Sequence, residues 1–121
     1  MTAPRALVIE DDRELLVIFS QALRLAGFEV ETASTTADAY QRLAAATPHL
    51  VTLDLHLQQT KGDEILRYIR AEPRLRATNI ILTTADSAMA DALQDQADYV
   101  FIKPISFTQL RDLAARLKTQ F

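Results

Sequence analysis

Along this chain, short apolar runs of strand length alternate with longer stretches in which apolar residues return every three to four positions. That alternation is the pattern of buried strands separated by amphipathic helices. Ala6-Leu7-Val8-Ile9 reads as a first buried strand, followed by a helix carrying Leu15, Phe19, Ala22, Leu23 and Ala26 on one face and stopped by Gly27. Phe28, Val30 and Thr32 alternate with Glu29 and Glu31, which suits an edge strand wetted on one side. Thr35 and Asp38, at capping-box spacing, open a second helix that runs to about Ala46 and ends before Pro48. Residues 50–53 predict a third strand, and residues 64–71 a third helix with Ile65, Leu66 and Ile69 inward and Arg67 and Arg70 outward. Residues 79–82 read as a fourth strand, 88–94 as a short Ala-rich helix, and 99–102 as a fifth strand. Ser106 with Gln109 forms a capping box ahead of a last helix whose Phe107, Leu110, Leu113, Ala114 and Leu117 share one stripe.

Five βα units in succession imply an α/β fold, a three-layer, doubly wound parallel sheet, because each return to a parallel strand needs a crossover that a helix supplies. Strands one, three, four and five are continuous apolar runs, as expected of strands covered on both faces. With 121 residues the chain predicts a single domain over 1–121 with no output domain. A net charge of −3, from 13 basic and 16 acidic side chains, argues against a generic polyanion binder and so against direct contact with nucleic acid. The basic stretch Arg67, Arg70, Arg74 and Arg76 reads as a solvated helix face. The absence of cysteine removes disulfides, thiol catalysis and thiolate metal sites. Two glycines, Gly27 and Gly62, are too few for a glycine-rich phosphate loop. The longest apolar run, residues 15–19, is far short of the roughly 20 residues that span a bilayer, and residues 1–5 lack a signal-peptide layout. A cytoplasmic location without membrane attachment is the expectation.

In such sheets ligands bind beyond the carboxyl ends of the strands, at the point where strand order reverses. Strand one ends in Glu10-Asp11-Asp12, strand three in Asp54, strand four in Thr83-Thr84-Ala85, and strand five in Lys103-Pro104. Adjacent carboxylates raise one another's pKa unless a cation neutralises them, and magnesium suits one or two carboxylates with water and phosphate oxygens. Asp54 closes a buried strand, where aspartate is disfavoured and costly without a partner. Lys103 is placed to pair with it, and Thr84 to donate to an oxygen attached to it. A carboxylate nucleophile, a hard metal, a lysine and a hydroxyl donor together make a phosphoryl-transfer site. Asp12 also suits a plain role as a helix cap, and His49 and His56, with no second ligand at helical spacing, read as structural or solvent-facing.

The set Glu10-Asp11, Asp54, Thr84-Ala85 and Lys103-Pro104 resembles the receiver domain of two-component response regulators, and the resemblance runs from Leu7 to Leu117. It implies the flavodoxin-like strand order 2-1-3-4-5. It also implies that Asp54 is the phosphoacceptor for a histidine kinase or phosphotransfer protein, that Thr84 is the switch hydroxyl, and that Lys103 contacts the phosphoryl group. Asp11 corresponds to the direct Mg2+ carboxylate, Glu10 to its partner acid acting more through water, and His56 to the residue whose backbone carbonyl completes the metal site. The register rests on the sixteen positions from Asp11 to Gly27. The Lys103-Pro104 bond is often cis in receivers. The usual output face, the fourth helix, fifth strand and fifth helix, would meet a downstream protein target or a second copy of the chain.

Three departures accompany the match. Gln58 stands where receivers commonly carry proline, which predicts a less rigid loop over 57–61. The nineteen positions from Thr84 to Lys103 are fewer than usual, which shortens the fourth helix or the loop after it. Val100 falls where the switch aromatic normally sits, with Tyr99 one place earlier. The side chains of His56 and Asp86, each two positions beyond a site residue, are expected to overhang the site and tune the phosphoryl lifetime. The leading reading is a stand-alone receiver that is a phosphoacceptor and no enzyme beyond its own phosphorylation and dephosphorylation. The alternatives are a phosphorylation-independent interaction module of the same shape and, less favoured, a magnesium-dependent aspartyl phosphatase. The phosphatase chemistry places its nucleophile in a D-x-D motif after strand one, whereas this strand ends Glu-Asp-Asp.

Overall fold

A computed structural model describes residues 3–57 and 62–121. Five strands, β1 (Arg5–Ile9), β2 (Glu29–Ala33), β3 (Leu50–Asp54), β4 (Asn79–Thr84) and β5 (Tyr99–Ile102), form one parallel sheet in the order β2-β1-β3-β4-β5. The helices between and after them are α1 (Arg13–Leu25), α2 (Thr36–Ala45), α3 (Gly62–Ala71), α4 (Ser87–Leu93) and α5 (Phe107–Lys118). No described helix is long and apolar enough to cross a membrane.

Successive strand residues face opposite sides of a sheet, so each buried strand feeds two cores. One core joins Leu7, Val51, Leu53 and Leu82 to Leu43 of α2 and to Ile65, Leu66 and Ile69 of α3. The other joins Val8, Leu50 and Ile81 to Phe19 and Leu23 of α1 and to Leu110, Ala114 and Leu117 of α5. The expected local signals operate. Thr35 Oγ1 accepts the Asp38 N–H at 3.1 Å, Ser106 Oγ accepts the Gln109 N–H at 3.2 Å, and Gly27 leaves α1 with φ +104°.

Two expectations need correction. β5 is not covered on both faces. It is the outer strand, α4 beside it spans only seven residues, and Tyr99 and Ile102 are 38% and 46% exposed. The arginines in and after α3 are also not a uniformly solvated face. Arg70 donates to the carbonyls of Gln96 (2.6 Å) and Thr78 (2.9 Å) and to Asp98 Oδ2 (2.8 Å), and Arg74 donates to the carbonyls of Leu43 and Ala46 at the end of α2. Carbonyls at a helix end lack intrahelical donors, and a nearby guanidinium supplies them. Arg67 behaves as expected, pairing along its own helix with Asp63 at 2.7 Å.

Gly62 opens α3 directly against the end of β3. Its N–H donates to the Leu55 carbonyl at 2.9 Å, and a Cβ there would collide with the Asp54 carbonyl oxygen and come within 2.8 Å of Leu55 Cα. Both obstacles are backbone, so neither can swing aside. Gly62→Ala is expected to cost about 1–3 kcal/mol, the usual range for overpacking, measured by urea denaturation. A variant as stable as wild type would show that α3 can shift freely off this strand end.

Candidate functional site

At the carboxyl edge of the sheet, β1 and β3 are neighbours and their ends lie side by side, Ile9 opposite Leu53. Glu10 continues the ladder through a 3.0 Å bond from its N–H to the Ala33 carbonyl and is only 1% exposed. Asp54, the last residue of β3, is 3% exposed. Asp11 is half-buried between them in sequence and space, and one carboxyl oxygen from each of Glu10, Asp11 and Asp54 lies within 4.8 Å of the others. Asp12 turns away to cap α1, its Oδ1 accepting the N–H groups of Glu14 (2.9 Å) and Leu15 (3.1 Å). The triple-acid run therefore divides, with two residues facing the site and one facing the helix.

Lys103 follows β5, and its N–H donates to the Thr84 carbonyl at 2.7 Å. Its Nζ bridges two acids, 2.8 Å from Glu10 Oε1 and 3.5 Å from Asp54 Oδ2. The remaining oxygens are held by backbone: Glu10 Oε2 accepts the Asp12 N–H at 3.2 Å, and Asp54 Oδ1 accepts the His56 N–H at 3.0 Å. The Lys103-Pro104 peptide bond is cis.

The charges do not balance. Burial pushes Glu10 from 4.5 up to about 7, the neighbouring Asp54 carboxyl adds to the rise, and Lys103 and the Asp12 N–H only partly oppose it. For Lys103, burial pulls the ammonium down, but the Glu10 and Asp54 carboxylates outweigh it and leave the pKa raised. Three oxygen donors within this span, with excess negative charge held out of water, match a hard divalent cation.

Across the mouth of the site, Thr84 Oγ1 accepts the Asp86 N–H at 3.0 Å, and His56 Nε2 stands 3.6 Å from Asp86 Oδ2. The structure thus brings Glu10, Asp11, Asp54 and Lys103 together, with Thr84, His56 and Asp86 alongside. It separates Tyr99 from Val100. Tyr99 lines a groove with Phe101, Gln109 and Leu113 on the α5 side, whereas Val100 packs with Met89, Leu93 and Ala97 into the core under α4. Of the two, Val100 pairs with Leu82, two residues before Thr84, and faces the same side of the sheet. Gln58 lies outside the described residues. His49 sits at the opposite edge, its Nδ1 accepting the Arg5 N–H at 3.1 Å. The part of the site that sequence reasoning missed is Gly62, counted there only in excluding a glycine-rich phosphate loop although it packs on the Asp54 backbone.

Residues 6–115 match the family model of the response regulator receiver domain. The transcriptional regulatory protein GltR of Pseudomonas aeruginosa is 36% identical over 115 residues, which cover 93% of this chain and 46% of GltR. The transcriptional regulatory protein PrrA of Mycobacterium tuberculosis is 31% identical over 121 residues, 98% of this chain and 50% of PrrA. The chain spans about half the length of the curated relatives it matches. Among solved structures, the signal receiver domain of the DNA-binding response regulator merR from Colwellia psychrerythraea superposes with a TM-score of 0.88 at 26% identity, covering 97% of this chain and 99% of that one. The response regulator TrrA of Thermotoga maritima, in complex with Mg(2+)-BeF, superposes with a TM-score of 0.83 at 27% identity over 94% of this chain and 98% of that one.

Because folding raises the Glu10 pKa from 4.5 to about 7, the folded chain holds this proton where the unfolded chain releases it. The resulting stability is complete below about pH 4.5 and is lost as pH rises through 7. Without divalent cations the melting temperature is therefore expected to fall by a few degrees between about pH 5 and 7.5, less so in Glu10→Gln, and Mg2+ should flatten the profile. Equal slopes for wild type and Glu10→Gln would overturn the assignment.

Proposed function

The chain belongs to the response regulator receiver domain family, and on that premise we propose that it is a phosphorylation-operated switch with Asp54 as the phosphoacceptor. The observation that carries this reading is the carboxylate of Asp54 itself, buried at the end of a central strand with its Oδ2 3.5 Å from Lys103 Nζ and its Oδ1 held by the His56 N–H. A carboxylate there needs a function that repays its burial.

In the proposed reaction an Asp54 oxygen attacks the phosphorus of a phosphohistidine on a sensor kinase or phosphotransfer protein. The O–P bond forms as the P–N bond breaks, and the imidazole leaves with the electron pair. Lys103 reaches the transferred group from the Glu10 side, and the Thr84 hydroxyl donates to one of its oxygens. Glu10, Asp11, Asp54 and the His56 backbone carbonyl would hold Mg2+, which when bound offsets the negative charge of the phosphoryl oxygens. Reversal by water attack on phosphorus returns Asp54 and inorganic phosphate, so the chain supports its own phosphorylation and dephosphorylation without turning over a separate substrate. The exposed Val17 and Ile18 on α1, just beyond the acidic run, offer an apolar platform to the phosphodonor protein.

Output is proposed to run through the face made by α4, β5 and α5 to a downstream protein or a second copy. Tyr99 and Ile102 expose apolar surface on β5, and Tyr99 shares a groove on the α5 side with Asp112 and Arg116. Val100 and the cis Pro104 flank this face.

Incubation with acetyl phosphate and Mg2+ is expected to add one phosphoryl group, seen by intact mass, and Asp54→Asn should abolish it. No Asp54-dependent adduct would return the chain to a phosphorylation-independent interaction module. The proximity of His56 and Asp86 leads to a second expectation, that His56→Ala and Asp86→Ala each change the autodephosphorylation rate severalfold by altering access of water to the phosphorus. Rates unchanged in both variants would remove these residues from control of the lifetime.

A further inference from the structure

Asp86 is tied to three neighbours at once. Its N–H donates to Thr84 Oγ1 at 3.0 Å, its Oδ1 accepts the Met89 N–H at 3.0 Å, and its Oδ2 stands 3.6 Å from His56 Nε2. The second of these bonds makes it the N-cap of α4. At seven residues α4 is the shortest of the described α-helices, and it carries no acidic residue in its first turn and no basic residue in its last. Such a helix draws little stability from propagation or from charges at its ends, so the cap and the packing carry it. The packing is modest, with Met89 and Leu93 meeting Val100 and Ala97 at the margin of one core.

We propose that Asp86 couples the Thr84 hydroxyl to the order of α4. When Thr84 rotates about χ1 to carry its hydroxyl to an oxygen of the group on Asp54, Oγ1 moves away from the Asp86 N–H that it accepts. The residue that caps α4 then loses the bond that orients its backbone, and the first turn of the helix frays. The inference rests on the reading of Asp54 as phosphoacceptor and adds the route by which that event reaches the output face. The route matters here because Val100, a small β-branched side chain packed under α4, has no ring that could swing between two positions in response to Thr84. The cap is the direct covalent and hydrogen-bonded path from the hydroxyl to the helix: Thr84 Oγ1, Asp86 N–H, Asp86 carboxylate, Met89 N–H. Asp86 is in this sense a positioning residue, since it acts on α4 and touches no reacting atom.

Amide hydrogen exchange of α4, read with and without the beryllofluoride–Mg2+ adduct, tests the coupling. In wild type the adduct is expected to speed exchange in the first turns of α4 about fivefold, the effect of losing an N-cap, with α1 and α5 unchanged. Asp86→Ala should show the faster α4 exchange before any adduct forms and no further change after it. Asp86→Asn keeps a capping oxygen while losing the charge that faces His56, and should retain the wild-type response. Thr84→Val should loosen α4 without the adduct. An adduct that forms on Asp54 but leaves α4 exchange unchanged or slower overturns the coupling while leaving the phosphoacceptor reading intact. So does a full response in Asp86→Ala, or a rise shared equally by α1 and α5. Failure to form any adduct overturns the phosphoacceptor reading and, with it, the trigger proposed here.

Discussion

Three carboxyl groups share one ammonium at the carboxyl edge of the sheet, and much of the surrounding architecture is arranged around that inequality. Lys103 stands 2.8 Å from Glu10 and 3.5 Å from Asp54, while Asp11 completes the acidic set without a lysine of its own. The strand order produces the crowding. β1 and β3 lie side by side although a strand and two helices separate them in sequence, so acids 44 positions apart, at 10 and 54, meet at one edge. Two separate cores hold the strands from opposite faces, one under α2, α3 and α4 and the other under α1 and α5, and together they resist the repulsion that the acids impose. Excess charge at one edge is the cost of a site that a cation and a phosphoryl group can complete.

Much of this was legible along the chain because each strand stops where its apolar run meets a polar residue with a distinctive side chain. Glu10, Asp54, Thr84 and Lys103 all sit at such boundaries, and the parallel topology then gathers them without any further information. Periodicity says which side of a helix a residue occupies, but not what waits at the far end of a long side chain. Arg70 and Arg74 read as solvent-facing for that reason, whereas carbonyls of neighbouring segments capture both. The apolar run of β5 was equally uninformative about burial: Tyr99-Val100-Phe101-Ile102 looks like a central strand, yet it has a strand on one side only. Distances within the site were also beyond reach, since co-location at strand ends does not reveal that Lys103 sits nearer Glu10 than Asp54.

Two of the three departures from the receiver pattern, the short α4 and Val100, lie after Thr84, and the third, Gln58, follows Asp54, while Glu10, Asp11, Asp54, Thr84 and Lys103 keep the expected residue types. The acidic edge of the sheet and the side built by α4 and β5 thus lie under different constraints. Electrostatics dictates residue identity in the first, where few side chains can substitute for a carboxylate or an ammonium. Packing dictates chiefly volume in the second.

The two outer strands of the sheet carry opposite protections. β2 presents Glu29 and Glu31 to water, one of them paired with Arg42, and like charges of this kind discourage a second sheet from adding at that end. β5 presents Tyr99 and Ile102 and no charged side chain within the strand. The sheet therefore has one charged end and one apolar end, and only the first carries an electrostatic guard against edge-to-edge addition.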